Sequence, residues 1–356
     1  MTDPHALDLL CQRLAGTAGD VESAGAWPAE QLGWMNSAGV MGWILPLEVG
    51  GAAISNVEMT ERYIRLSQAC LTTTFILTQR NGACQRIAAS PNAELRAELL
   101  PGLLSGDLFA TVGISHLSTS RQYLGKPSVE ARLDGGRIQL NGYVPWVTGG
   151  AQANFIVTGG TLEDGTQILA AVPRGTVGVR VHAPQPLLAL SASQTGAISL
   201  DAVEFDARYL VAGPAPHIMQ QSSGGAGSLT TSALAVGVSA AALELLAGEA
   251  NRRPELQEPT TALLAEAAEL RSDLLEAAAG ERAPDARLAP NAIRARANSL
   301  ALRTTQAALA ASKGAGFVVG HPAERLVREA MFFLVWSCPQ PVLEAALCDF
   351  ALSTFD

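Results

Sequence analysis

The sequence predicts an α+β protein in which two helical segments flank a β-rich middle segment. In residues 1–107, apolar side chains such as Leu7 and Leu10 recur at the spacing of helical turns. In residues 108–222 the apolar period changes to two, which is the period of strands. In residues 223–356 the helical spacing returns. We therefore expect an N-terminal helical domain, a middle β-domain and a C-terminal helical bundle.

Two β-hairpins are predicted in the middle segment. A Gly-Gly pair at 135–136 separates two alternating runs, and an Asp-Gly pair at 164–165 separates the next two. Residues 177–181 and 197–205 are predicted as further strands. No G-x-G-x-x-G follows a strand, and the strands do not alternate with helices. The pattern therefore argues against a βαβ nucleotide-binding fold.

The C-terminal segment is predicted to contain four helical stretches. They cover 229–251, 259–279, 291–312 and the region that begins at Pro322. Pro254 and Pro259 end the first stretch, because proline lacks a backbone N–H and clashes inside a helix. The glycine-rich run 314–320 ends the third stretch.

The composition is that of a globular protein and excludes several classes. The chain has 356 residues, 48% of them hydrophobic, which is enough for two or three packed subdomains. Its net charge is -9 without a cluster of Lys and Arg, so nucleic acid is not an expected partner. Five scattered cysteines and the lack of C-x-x-C or H-E-x-x-H signal neither a disulfide framework nor a metal site. Without a signal-peptide pattern or an apolar run of spanning length, we expect a cytoplasmic protein and no membrane partner.

Three stretches carry groups suited to binding a ligand. A strand is followed by Trp146, Val147 and Thr148, which could offer an aromatic wall and a hydroxyl to a flat heterocycle. Alternatively, Trp146 is simply a tryptophan of the domain core. The run 113–120 is dense in hydroxyls and can offer N–H groups to phosphates, or be an ordinary solvated loop. The run 314–330 begins with glycines that permit close approach of a ligand or a backbone, or form a plain turn.

In this order and on these elements, the stretches resemble motifs of the acyl-CoA dehydrogenase family. The matching runs are 27–39, 44–51, 99–107, 115–120, 146–148, 203–205 and 314–330. The resemblance covers nearly the whole chain. It implies an N-terminal helical domain, a β-barrel-like middle domain and a C-terminal four-helix bundle. It also implies FAD between the middle domain and the bundle, and a homodimer or homotetramer.

The resemblance further implies roles for individual residues. Trp146 would pack against the isoalloxazine ring, and Thr148 would hydrogen-bond near its N5 atom. Val147, between them, is a further implied cofactor-binding position. Ile114 and Ser115 would contact the pyrimidine edge. The remaining implied cofactor positions are Ser118 and Ser120 near the pyrophosphate, Arg253 on the FAD of a neighbouring subunit, and Gly314 in the glycine pair.

The sequence departs from the family at the catalytic base. Dehydrogenases of the family remove the α-proton of an acyl thioester with a carboxylate, and such a base must be ionised and within hydrogen-bond reach. Ser337 falls at that position, and the alternative family position falls near Thr230, so neither is acidic. His116 is a candidate replacement base. Glu329 and Glu344 are expected at helix surfaces or in ion pairs.

Several functions remain open after this departure. An acyl-CoA dehydrogenase-type flavin oxidoreductase would act on a CoA or carrier-protein thioester and use an electron-transfer or reductase partner. A flavin monooxygenase or oxidase of the same fold would need no such base. The scaffold would otherwise serve non-redox chemistry or a non-catalytic partner subunit. Trp146 and Thr148 favour flavin use, and Gln79, Arg80 and Asn81 are expected to add polar groups to the substrate cavity.

Overall fold

The structure, a computed structural model, confirms the α+β class. It describes residues 4–117, 125–221, 227–280 and 285–351. The first helices are α1 (Pro4–Ala24), α2 (Ala29–Ser37), α3 (Asn56–Ala69), α4 (Leu71–Ala88) and α5 (Ala93–Ser105). The side chains of Ser55 and Asn92 cap α3 and α5 by accepting backbone N–H groups three residues further on. Gly106, with a φ of +84°, ends α5.

The described residues of the middle segment form one sheet of eight strands. They are β1 (Ala110–Val112), β2 (Val129–Asp134), β3 (Arg137–Val147), β4 (Phe155–Thr161), β5 (Gln167–Pro173), β6 (Val179–Val181), β7 (Gly196–Asp206) and β8 (Leu210–Ala215). Their order is β6-β7-β3-β2-β4-β5-β8, with β1 beside β4. The two predicted hairpins are β2–β3 and β4–β5, both antiparallel.

The described residues after the sheet are again helical. The helices are α6 (Ile218–Gln221), α7 (Gly227–Ala250), α8 (Gln257–Ala279), α9 (Pro290–Ala311), α10 (Lys313–Gly316), α11 (Pro322–Val335) and α12 (Gln340–Ala351). Helices α7, α8, α9 and α11 pack together as a four-helix bundle. Within α7, Leu229–Ala250 is long and apolar enough to cross a membrane, but 72% of its most apolar window is buried in the fold. That burial is typical of a core helix.

The N-terminal helices and the bundle share one hydrophobic core. Buried side chains of α1, α3 and α4 belong to the same cluster as those of α7, α9 and α11. The backbones of α3 and α7 approach closely at Gly237, where an added Cβ atom would lie 2.4 Å from the carbonyl oxygen of Ile64. Helix α4 also contributes Ala83 and Ile87 to a second cluster with the sheet. It therefore connects the bundle to the sheet.

Candidate active site

A cavity of about 1590 Å³ lies where the sheet, the first helices and the bundle meet. Its wall takes residues from β3, β5 and β8, from α3 and α4, and from α7 and α11. Three positions expected to bind flavin (Ile114, Ser115 and Trp146) and the two positions that the resemblance assigns to the base (Thr230 and Ser337) therefore line one space. The following residues build that space.

Trp146 forms part of the sheet side of the cavity. Between Val144 and Val147, two residues of β3 lie opposite one residue of β7, which is a β-bulge. Val144 and Val147 are buried, whereas Trp146 between them is 39% exposed. Trp146 lines the cavity together with Ile114 and Ser115 from the loop after β1. The bulge thus turns the tryptophan ring out of the sheet and towards the cavity.

The hydroxyl at this side of the cavity belongs to Thr195 rather than to Thr148. Thr148 is 1% exposed and does not line the cavity, whereas Thr195 does. Their hydroxyl oxygens are 2.9 Å apart, and the Thr195 hydroxyl is also 2.8 Å from that of Ser193. Thr111 donates to the carbonyl oxygen of Thr148 at 2.8 Å. Thr148 therefore supports the wall from behind and orients the Thr195 hydroxyl.

Ser337 lies on the bundle side of the same cavity. It follows Trp336 in the loop between α11 and α12 and adopts a left-handed φ of +44°. The Trp336 ring stacks on Phe332 with centroids 5.4 Å apart. Ser337 and Thr230, the two positions that the resemblance assigns to the base, both line the cavity. No Asp, Glu or His occurs among the described residues of the wall.

His116 does not line this cavity, so its position does not support the expectation that it replaces the glutamate. Its side chain is 5% exposed, and Nε2 lies 2.9 Å from the carbonyl oxygen of Gly159 in β4. Burial lowers the pKa of His116. His116 lines a separate cavity of about 280 Å³ that also contains Lys126. The fold thus separates the imidazole from Ser337.

Glu329 is buried and lies in an ion pair, which is one of the two settings expected for it. It is 2% exposed and its carboxylate lies 3.9 Å from the Nε atom of Arg325. Burial raises the pKa of Glu329 to about 7, and Arg325 opposes this shift. Glu329 does not line the cavity. Glu344 is exposed and accepts a hydrogen bond from Gln340.

Of the three polar residues predicted for the substrate cavity, Gln79 lines it and Arg80 and Asn81 do not. Arg80 is 1% exposed and donates to the carbonyl oxygen of Met41 at 3.1 Å. Asn81 donates to the hydroxyl oxygen of Tyr63 at 2.9 Å. Successive residues of a helix point about 100° apart, so three in a row cannot share one face. Arg80 and Asn81 instead fix neighbouring backbone and side chains.

Arg253 and Gly314 lie outside the cavity wall. Arg253 donates to the carbonyl oxygen of Ala311, and so ties the end of α7 to the end of α9. Gly314 belongs to the short helix α10. Ser118 and Ser120 lie outside the described residues. A role of these four residues in FAD binding stays a prediction.

Comparison with known proteins identifies relatives whose descriptions name acyl-CoA substrates. A family profile described as the N-terminal domain of acyl-CoA dehydrogenase matches residues 4–107. The probable acyl-CoA dehydrogenase YngJ of Bacillus subtilis (strain 168) is 24% identical over 345 residues, which cover 91% of this chain and 90% of YngJ. A 3-sulfinopropanoyl-CoA desulfinase of Advenella mimigardefordensis is 26% identical over 168 residues, which cover 46% of this chain and 41% of the desulfinase.

Solved structures share the fold over almost the full chain. FkbI, described for biosynthesis of the methoxymalonyl extender unit of the polyketide Fk520, has a TM-score of 0.82 at 22% identity and covers 97% of this chain and 99% of its own. A glutaryl-CoA dehydrogenase from Mycobacterium smegmatis in complex with FADH2 has a TM-score of 0.81 at 17% identity, with coverages of 99% and 96%. Together with the motif order, the profile match over residues 4–107 and the similarity to YngJ support a relationship to the acyl-CoA dehydrogenase family, and the solved structures show its fold.

Proposed function

We propose that this protein is an FAD-dependent oxidoreductase of the acyl-CoA dehydrogenase type that acts on an acyl thioester with a polar acyl group. One observation carries the proposal: Trp146 on the sheet side and Ser337 on the bundle side line the same cavity. A flavin ring packed on the first side would lie beside a thioester held by the second. The glutaryl-CoA dehydrogenase neighbour, which has FADH2 bound, supports FAD as the cofactor. When bound, FAD would accept a hydride from the acyl chain.

The residues of the sheet side fit an isoalloxazine ring. Trp146 presents a half-exposed aromatic face on which a flat heterocycle can stack. The oriented hydroxyl of Thr195 and the polar groups of Ser115 can meet the ring edges. The volume of about 1590 Å³ exceeds the roughly 300–1,000 Å³ of an ordinary small-molecule site. It therefore leaves room for a second ligand beside the ring.

The first helices give the cavity a polar wall. Asn56, Thr60 and Tyr63 of α3 and Thr78 and Gln79 of α4 line it. Tyr63, Thr78 and Gln79 each make hydrogen bonds within the protein and keep further donors or acceptors that polar substituents of a ligand could use. We therefore expect an acyl group with its own hydrogen-bonding substituents.

A second candidate function is that of a flavin-dependent monooxygenase or oxidase of the same fold. The lack of a carboxylate or an imidazole on the described wall favours it, because such chemistry needs no base at an α-carbon. Dehydrogenation of a thioester, in contrast, requires a proton acceptor that the described wall does not supply. The product therefore distinguishes the two functions.

The proposal implies partners as well as a substrate. The thioester would be carried by CoA or by a carrier protein, and an electron-transfer or reductase partner would exchange electrons with the flavin. A homodimer or homotetramer is supported by Phe317, Val318 and Val319 after α10, which are 81%, 61% and 90% exposed. A cytoplasmic location remains part of the same proposal.

Turnover with an artificial electron acceptor tests the proposed function. The FAD-reconstituted protein is expected to convert 3-hydroxybutyryl-CoA faster than butyryl-CoA, to a product that is lighter by two hydrogens. Gln79→Leu exchanges a lining amide for an apolar group of similar size and is expected to shift this preference towards butyryl-CoA. A product that contains oxygen from O2 would favour the second function. A protein that neither binds FAD nor forms product would refute both.

A further inference from the structure

Arg86 is a charged residue of the cavity wall that has no counterion among the described residues. It lies on α4, one turn after Gly82, and both residues line the cavity. The described wall contains one other charged side chain, Arg328, which forms ion pairs with Glu22 and Glu324. No Asp or Glu occurs among the described residues of the wall, and Arg86 is its described cation without an acidic partner.

Protein acceptors satisfy only part of the Arg86 guanidinium. Its Nη1 atom donates to the carbonyl oxygen of Gly82 at 2.8 Å. Its Nε atom is buried and donates to no acceptor of the described chain. Arg80, on the same helix, is also buried without a carboxylate, but it donates to two backbone carbonyls and to Asn81. Arg80 is therefore structurally satisfied, whereas Arg86 retains donors for a ligand.

An anionic ligand would offset the free energy that the charged guanidinium of Arg86 loses when burial removes it from water. Burial lowers the pKa of Arg86, yet an arginine stays protonated in proteins, so the charge persists in the cavity. A guanidinium presents its N–H groups in a planar fork that matches the oxygens of a carboxylate or a phosphate. Such a group would pair with the charge and with the remaining donors.

We propose that Arg86 is an oxyanion subsite that binds a carboxylate or phosphate group of the cavity's ligand. The inference rests on the proposed function in taking that ligand to be a thioester. An acyl thioester of CoA or of a carrier protein contains two kinds of group that could supply the oxyanion. One is a carboxylate on the acyl group, and the other is a phosphate of CoA or of phosphopantetheine.

Binding of three thioesters to the FAD-reconstituted protein, measured by calorimetry, distinguishes these sources. Butyryl-pantetheine carries no anion, succinyl-pantetheine adds an acyl carboxylate, and butyryl-CoA adds only phosphates. Arg86→Gln and Arg86→Lys are compared with the wild type. Arg13→Gln removes a cation that stacks on Trp34 outside the cavity, and so controls for the loss of one charge. Thermal unfolding verifies that each variant is folded.

In Arg86→Gln we expect about 10- to 100-fold weaker binding of an anionic thioester, with butyryl-pantetheine unaffected. A loss confined to succinyl-pantetheine assigns the subsite to an acyl carboxylate, and a loss confined to butyryl-CoA assigns it to a phosphate. Arg86→Lys keeps the positive charge but lacks the planar fork of N–H groups, so we expect it to lose less affinity for the anionic thioester. If Arg86→Gln does not fold, the affinity of Arg86→Lys provides the test.

Equal affinities of the wild type and the Arg86 variants for all three thioesters would overturn the subsite. The binding readout does not depend on turnover. If the Arg86 variants selectively lose affinity for anionic thioesters, but no thioester reduces the flavin of the wild type, then the subsite is supported and the proposed function is refuted.

Discussion

The buried guanidinium of Arg294 donates to the carbonyl oxygen of Trp336, 3.0 Å away, in the loop that follows α11. Arg294 lies on α9, is 1% exposed and also donates to the side-chain oxygen of Asn298 at 2.9 Å. The contact holds the loop in which Ser337 adopts its left-handed conformation on the cavity wall. The packing of the bundle thus shapes the side of the site where a base would be expected.

Replacement of Arg294 by Met is expected to lower the free energy of unfolding by about 2–4 kcal/mol, because the buried side chain of Asn298 and the partly buried carbonyl of Trp336 lose their donor. Burial lowers the pKa of Arg294 to about 10, so part of the lost interaction is offset by relief of desolvation. Urea unfolding measures the change. Arg303→Met on the same helix removes an exposed ion pair with Glu266 and should cost less than about 1 kcal/mol. Equal losses in both variants would contradict the structural role.

Trp146→Ala is expected to weaken FAD binding by about 2 kcal/mol, or roughly 30-fold, because the isoalloxazine ring loses the indole surface on which it would stack. Trp146→Phe keeps an aromatic face and should retain most of the affinity. The flavin content after dialysis and a titration with FAD measure both effects. Normal flavin retention in the Ala variant would mean that the ring does not lie against this side of the cavity.

Ser337→Glu is expected to accelerate anaerobic flavin reduction by butyryl-CoA about 10²–10⁴-fold, the usual contribution of a positioned general base. Ser337→Gln has nearly the same size but no basic oxygen, so it controls for shape. Stopped-flow absorbance gives both rates. If the Glu and Gln variants reduce flavin equally slowly, then Ser337 does not face the α-carbon of a bound thioester.

Glu329 is expected to make the protein less stable as pH rises. Its pKa is about 7 in the folded protein against an ordinary value of 4.5, because burial disfavours the carboxylate. Between these values the folded state binds more protons than the unfolded state, so stability falls from about pH 4.5 to 7, by roughly 3 kcal/mol in all.

Glu329→Gln removes this titration and is expected to flatten the profile of unfolding free energy between about pH 4.5 and 7. Glu344→Gln, at an exposed position, should keep the wild-type slope. Urea unfolding at several pH values measures the three profiles. A wild-type profile that runs parallel to that of Glu329→Gln would contradict the assignment.

The sequence predicts those parts of the fold that have local signals. The β2–β3 hairpin is recognisable because a Gly-Gly turn separates two alternating runs. Strand β1 was not predicted, since its three residues are all buried and show no alternation, and its pairing with β4 depends on residues 45 positions away. Strand β8 was also missed, because Gly213 and Pro214 disfavour a strand locally.

The candidate site is less predictable because it depends on side-chain direction. Trp146 was recognisable from its motif, but Thr195 becomes part of the wall through a contact 47 residues away in sequence. On α4, the spacing of Gln79, Gly82 and Arg86 is that of one helical face, and this spacing could have indicated Arg86. The resemblance places Arg80 and Asn81 in the pocket region, but helical rotation turns their side chains away from the cavity.

The central claim is that one cavity holds FAD and an acyl thioester side by side. The visible absorbance spectrum of the FAD-reconstituted protein, titrated anaerobically with 3-hydroxybutyryl-CoA, tests it most directly. We expect a flavin band that bleaches as the thioester is added. A flavin band that no thioester changes would contradict thioester oxidation, and a protein that takes up no FAD would contradict the claim as a whole.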